Sequence, residues 1–243
     1  MRTVQAVAWK EIQVYFGTPI AYIVGMIFLV VTGIIFASGV VPSENNPFPE
    51  AALTAFFQSR WTIFFVILLA PTLTMRLISE EQKMGTIELL LTSPVRDWEI
   101  IVGKYLASLA FLVALLALTL YYPLMLFIFA EPDPGPIFSG YLGLVLFGAS
   151  ALAIGMLTST ITSNQIVAAI VGIGLIGALF VVDFSSDLVE GVASVLVNEI
   201  GSYAHYEDFS RGVIDTKHVV YFLSVTAVFL FLAIRALEFR RWR

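Results

Sequence analysis

Between Glu11 and Glu44 the chain carries no charged side chain, and the same holds from Pro134 to Val182. Apolar runs of that length leave few folds open. A bilayer's hydrocarbon core, about 30 Å thick, is crossed by about 20 apolar residues in a helix, which satisfies its own backbone hydrogen bonds without water. The rest of the composition agrees. Of 243 residues, 59% are hydrophobic and 13% charged, against roughly 25% charged in a soluble domain.

The runs resolve into six spans at about residues 19–41, 56–75, 105–129, 137–158, 165–183 and 219–235 of a single membrane domain covering residues 1–243. The long stretch after Pro134 holds two of them, divided at the polar segment Thr158 to Gln165. Ahead of the first span, Val4, Val7, Ala8, Ile12 and Tyr15 recur at helical spacing and predict an interfacial helix with one apolar stripe. The run that follows is too long for the apolar core of a cleaved secretory signal.

Six spans place both termini on one side, and basic residues give that side a name. Arg2, Lys10, Arg76, Lys83, Arg96, Lys104, Arg235, Arg240, Arg241 and Arg243 all fall in segments on the side of the termini. The opposite loops hold Arg60, Arg211 and Lys217 with acids such as Glu44, Glu50, Glu131, Asp133 and Asp183. The chain is therefore expected to be multi-pass in a plasma membrane, with both termini cytoplasmic and an acidic outer surface.

Several functions are excluded by what the spans lack. No carboxylate or histidine sits at midspan to carry a coupling proton, and no arginine ladder senses voltage. His205 and His218 both fall at an outer loop, and two histidines without cysteine make a poor metal site. Hydrogen bonding within the fold is the expected use of His205. The net charge of −5 and the dispersed basic residues argue against nucleic acid. Gly103-Lys104 lacks the earlier glycine of a phosphate loop and is followed by Tyr105. The chain has no nucleotide-binding motif, no catalytic constellation and no cofactor of its own.

The segment Met75 to Lys104, MRLISEEQKMGTIELLLTSPVRDWEIIVGK, reads as helical punctuation. Span two runs on to Met84, where Gly85 takes the left-handed conformation that ends a helix. Thr86 then caps a short helix with Glu88 near its start and Ile87, Leu90 and Leu91 on one stripe. Ser93-Pro94 starts an interfacial elbow with Trp98, Ile101, Val102 and Tyr105 on one face. The short helix either packs on the protein's own cytoplasmic face or docks into a soluble partner.

The order Met75-Arg76, Ser79-Glu80-Glu81, Gly85-Thr86-Ile87-Glu88-Leu89-Leu90-Leu91-Thr92-Ser93-Pro94-Val95 and Gly103-Lys104-Tyr105 resembles the permease subunits of ABC-2 type transporters. Within them it is similar to the gliding-motility-type permeases, and the outer string from His205 to Asp215, with Tyr221-Phe222 after it, looks like the same subgroup.

The resemblance implies an all-α integral membrane fold of six transmembrane helices. With them come an N-terminal interfacial helix, a cytoplasmic coupling helix between spans two and three, and short external helices between spans five and six. It assigns contact with a cytoplasmic ABC ATPase to Glu80, Glu81, Gly85, Thr86, Ile87, Glu88, Leu89, Leu90, Leu91, Thr92, Ser93 and Pro94, with ATP and Mg in that partner. A second permease chain, identical or different, and membrane lipid complete the expected partners. Phe56, Phe57, Phe64 and Phe65 on span two, with Gly172 and Gly174 on span five, are candidates for a translocation path, although lipid-facing phenylalanine explains the aromatics as well. Export is the expected activity. The alternative is a mechanotransmitter or anchor that passes ATPase-driven motion to periplasmic proteins and moves no substrate.

Overall fold

A computed structural model describes residues 2–40, 51–86, 95–129, 132–182 and 201–241, and every regular element among them is a helix. In chain order these are α1 (Arg2–Gly17), α2 (Pro19–Val40), α3 (Ala51–Gln58), α4 (Arg60–Thr74), α5 (Ser79–Lys83) and α6 (Asp97–Thr119), followed by α7 (Tyr121–Phe129), α8 (Pro134–Ile161), α9 (Gln165–Val181), α10 (Ser202–Ser210) and α11 (Thr216–Arg241). Five segments are long and apolar enough to cross a membrane: Ala21–Val40, Arg60–Lys83, Asp97–Ile128, Pro134–Ile161 and Thr216–Arg240. The fifth expected span is the apolar helix α9, which has 17 residues and so is about 25 Å long. The external helices expected between spans five and six, over Ser185 to Ile200, lie outside the described residues, and the next described helix is α10.

Where the chain stops and restarts follows local chemistry. Asp133 caps α8, its Oδ1 accepting from the Gly135 amide at 2.9 Å with Pro134 in the first turn. Asn164 caps α9 by accepting from Ile166 and Val167, so the polar break between spans four and five falls where its residues predict. The expected second span is divided. Ser59 takes an extended conformation, ending α3 before α4 starts, and the freed carbonyls of Phe56 and Phe57 are taken by Thr62 Oγ1 at 2.8 Å and Tyr206 Oη at 3.0 Å. Span three starts as one helix at Asp97, where the Glu99 carboxylate accepts from the Arg96 amide at 3.1 Å. The expected start at Ser93-Pro94 lies outside the described residues.

α8 is the centre of the bundle, packed against α4, α6, α9, α10 and α11. Its position shows in burial: 61% of its spanning window is enclosed within the chain, as is 67% of the α4 window, against 22% for α2 and 11% for α11. The peripheral helices turn residues such as Ile23, Met26, Val30 and Leu223 outward. That surface is unexceptional in a bilayer, where lipid tails are as apolar as leucine.

Small residues set how closely the neighbours approach α8. A Cβ at Gly140 would stand 2.6 Å from the Phe57 ring, and one at Gly155 would collide with Thr74 Oγ1 while lying 3.3 Å from Pro71 Cα. Threonine is stiff about χ1, and Thr74 is already bonded to Ala70 O at 2.9 Å. Gly174 on α9, by contrast, has nothing within 4 Å of such a Cβ. Gly155→Ala is therefore expected to cost about 1–3 kcal/mol through overpacking, whereas Gly174→Ala should stay within about 1 kcal/mol of the parent, helped by alanine's helix propensity. Thermal unfolding of both variants in mild detergent checks this; equal melting temperatures would contradict the packing at Gly155.

Candidate functional site at one end of the bundle

At Thr74 the helix α4 ends, and after four intervening residues α5 begins. A turn between two helices strands backbone amides that have no intrahelical acceptor. Here one side chain answers them. Ser159, in the last turn of α8, accepts from the Ile78 and Ser79 amides at 3.1 and 3.2 Å and donates to Met75 O at 3.1 Å. A hydroxyl has one proton and two lone pairs, and Ser159 uses all three. One residue on, Gln82 Nε2 donates to Thr160 O at 2.8 Å. Ser79 Oγ closes the turn on Met75 O, and Arg240 of α11 reaches Ile161 O.

Beside this turn lies a buried cation. Lys104 keeps 5% of its side chain exposed and places Nζ 2.9 Å from Glu81 Oε1 and 3.1 Å from Glu11 Oε2. One ammonium thus joins α5, α1 and the first turns of α6. An isolated buried charge is costly, and only pairing makes it tolerable. The second oxygen of Glu81, Oε2, is buried and accepts no hydrogen bond among the described residues.

α1 is fastened to the same place along its length. Val7 packs onto Gly103, where a Cβ would stand 2.8 Å from its Cγ1. Tyr15 stacks on Phe111 with ring centres 5.2 Å apart and donates to Leu73 O at 2.8 Å. Burial, reinforced by the nearby Glu11 carboxylate, holds the Tyr15 phenol far above the usual tyrosine range, so it stays a donor. Arg76 Nη2 donates to Thr18 Oγ1 at 3.2 Å. The N-terminal helix, the segment after span two, the start of span three, the end of span four and the end of span six therefore meet at one end of the bundle. All but the end of span four are segments that carry the excess of Lys and Arg.

The expected contact residues divide at Thr86. Glu81 is in the ion cluster, Glu80 is half-buried one residue away, and Gly85 has the expected positive φ of 72° where α5 ends. Thr86 is exposed, its hydroxyl donating to Glu81 O at 3.3 Å. Ile87, Glu88, Leu89, Leu90, Leu91, Thr92, Ser93 and Pro94 lie outside the described residues.

The candidates for a translocation path are not gathered in one place. Phe56 and Phe57 are interior residues of α3, edge-on to Tyr122 and Tyr141. Phe64 is exposed, and Phe65 lines a groove with Val24, Ile27, Phe28, Leu68 and Thr72. Gly172 packs against Pro71, and Gly174 is open.

Sequence reading passed over Glu11, Lys104 and Ser159. The signal available was Gly103-Lys104 at the mouth of span three, a lysine that ordinarily snorkels toward water and here turns inward because Gly103 admits α1.

The ABC-2 type transporter family profile matches residues 2–182, which contain the whole junction except Arg240. The chain belongs to the ABC-2 type transporter family. Among curated proteins it is similar to the probable multidrug ABC transporter permease YbhR of Escherichia coli strain K12, and to the protein of the same name in E. coli O157:H7. Each is 30% identical over 88 residues, 36% of this chain and 23% of the relative. The match spans less than a quarter of those relatives' length.

Removing the cation tests the junction. Lys104→Met leaves Glu11 and Glu81 facing each other without compensation. A loss of about 3 kcal/mol is expected, at the lower end for a broken buried pair because Glu81 keeps 23% of its side chain exposed. Adding Glu11→Gln and Glu81→Gln to the same chain should recover most of it. Thermal unfolding of the single and triple variants decides, and an unaltered single variant would refute the arrangement.

Proposed function

We propose that this chain is the transmembrane permease subunit of an ATP-binding cassette exporter, pairing with a second permease and driven by a separate cytoplasmic ATPase that binds ATP and Mg. In this reading the junction end faces the cytoplasm of a prokaryotic cell, and residues 86–94 seat in the ATPase as a coupling helix. The observation that carries the reading is the anchoring just upstream. Lys104 and Ser159 bind the root of that segment, Met75 to Gln82, to three other helices.

The mechanical argument is simple. ATP can favour one arrangement of the spans only if it binds one arrangement more tightly than the other, and a push on a loose loop would be lost before it reached them. Here the segment is short, its end at Gly85 is fixed by backbone conformation, and its root is held at both ends of the turn. A displacement of residues 86–94 is thereby delivered to the start of span three through Lys104 and to the end of span four through Ser159. The E. coli relatives are probable multidrug ABC transporter permeases, which supports an apolar or amphipathic substrate, and the groove lined by Phe28, Phe65, Leu69 and Thr72 has matching chemistry.

Co-expression with a cytoplasmic ABC ATPase from the same organism, followed by co-purification and ATP-driven dye movement in inverted vesicles, tests the reading. Glu88→Lys is expected to weaken ATPase association about tenfold, equivalent to about 1.4 kcal/mol. Ser159→Ala should leave association intact while lowering the dye moved per ATP hydrolysed. Full association of the Glu88→Lys chain would remove the docking role, and ATP hydrolysis with no movement of any dye would favour mechanotransmission instead.

A further inference from the structure

Two apolar grooves flank α2. The one against α6 is lined by residues such as Gly25, Met26 and Leu115 and ends at Tyr15 and Tyr22, and no cation lines it among the described residues. The other, against α4, is lined by Val24, Ile27, Phe28, Phe65, Leu68 and Thr72, and it ends differently. Arg76 follows Thr72 by four residues and donates from Nη2 to Thr18 Oγ1 at 3.2 Å, in the turn where α1 gives way to α2. The guanidinium therefore crosses the junction end of this groove from one wall to the other.

The charge of Arg76 is not answered within the chain. A guanidinium carries five N–H donors and stays ionised at any physiological pH. Among the described residues its acceptor is Thr18 Oγ1, a neutral hydroxyl that itself donates to Tyr15 O at 3.2 Å. Glu11 and Glu81 both face Lys104. Glu80, four residues past Arg76, makes no ion pair with it among the described residues. Arg76 is half-buried, and a cation with so little access to water needs an anion beside it.

We propose that the groove between α2 and α4 holds one acidic phospholipid of the leaflet at the junction end, with its phosphate on Arg76 and one acyl chain between the two helices. The dimensions support this occupant. From Arg76 to Phe65 is eleven residues, about 16 Å of helix, and the hydrocarbon of one leaflet is about 15 Å deep, half of a core of about 30 Å. A chain that starts at Arg76 and follows the groove therefore ends near the bilayer midplane. Phosphate oxygens accept from the remaining guanidinium donors in paired geometry. Thr72 spends its hydroxyl proton on Leu68 O at 2.7 Å, so the wall beyond Arg76 offers a headgroup nothing and an acyl chain a continuous apolar surface. A neutral lipid or an apolar span of a second copy would fill the same space and leave Arg76 without its anion. The inference deepens the reading of this groove as a site for amphiphiles and rests on that reading, but it concerns the permease alone and needs no transport.

Photolabelling tests it. The full chain is placed, without ATPase or nucleotide, in phosphatidylcholine vesicles holding a trace of phosphatidylglycerol with a diazirine on one acyl chain, or of phosphatidylcholine with the same group. Peptides over residues 24–28 and 65–72 are expected to take up about ten times more of the acidic probe than of the neutral one. Residues 111–118, in the groove against α6, should show no such excess. Arg76→Gln should bring the two probes level, and Arg76→Lys should keep most of the excess. If Arg76→Gln does not fold, competition in the parent decides: unlabelled phosphatidylglycerol is expected to abolish the excess and inorganic phosphate to leave it. Equal labelling by the two probes in the parent, or an excess that survives in folded Arg76→Gln, overturns the proposal. Displacement by inorganic phosphate overturns it in favour of a free anion, and absence of label in a chain that sizes as a dimer overturns it in favour of a second copy. Labelling uses no ATP, so it can succeed where dye movement fails and fail where dye movement succeeds.

Discussion

A broken helix in a membrane protein frees backbone groups where water cannot reach them, and each must find a partner within the protein. That constraint organises this bundle. The second apolar segment breaks at Ser59 and again after Thr74, and each break is answered by side chains from other elements. The Tyr206 phenol answers the first from α10, and the Ser159 hydroxyl answers the second from α8. Satisfying the breaks is what brings α10 onto α3 and fixes the end of span four against α5. The interior position of α8 follows, with glycines where the broken segment presses closest.

The ion cluster at the junction answers a different need. The hydrophobic effect is nondirectional, and in lipid it does not drive helices together. Lys104 supplies direction, because one ammonium facing two carboxylates fixes the rotation of α1, α5 and α6 about their axes. Buried ion pairs often stabilise no better than well-packed apolar residues would. Their contribution here is positional: a rotation of α5 that carries Glu81 away leaves a buried lysine with half its partners.

Much of the architecture could be read from residues alone, because membrane spans announce themselves by the absence of charge. The runs from Glu11 to Glu44 and Pro134 to Val182, the polar break before Gln165 and the positive φ at Gly85 needed only local chemistry. The break at Ser59 was hidden, since Gln58, Ser59 and Arg60 read as the polar outer end of a span and the partner that permits the break, Tyr206, lies about 150 residues away in sequence. Lys104 was hidden for the same reason. A lysine at a helix mouth looks solvated until Glu11 and Glu81 are known to flank it, and their separations of 93 and 23 residues carry no periodic signal. His205 was expected to serve hydrogen bonding, and it does, but spacing gave no hint that His218 would meet it nitrogen to nitrogen.

Ser139 and Ser159 are two hydroxyls near opposite ends of the central helix α8, and each holds a segment from elsewhere in the chain by its backbone. A helix packed against five others along its length has little room to bend. α8 therefore has the character of a connecting rod between the turn after α4 and the helix α10. Softening the rod, by a proline or a cavity midway, would separate the two ends of the molecule mechanically without touching either of them.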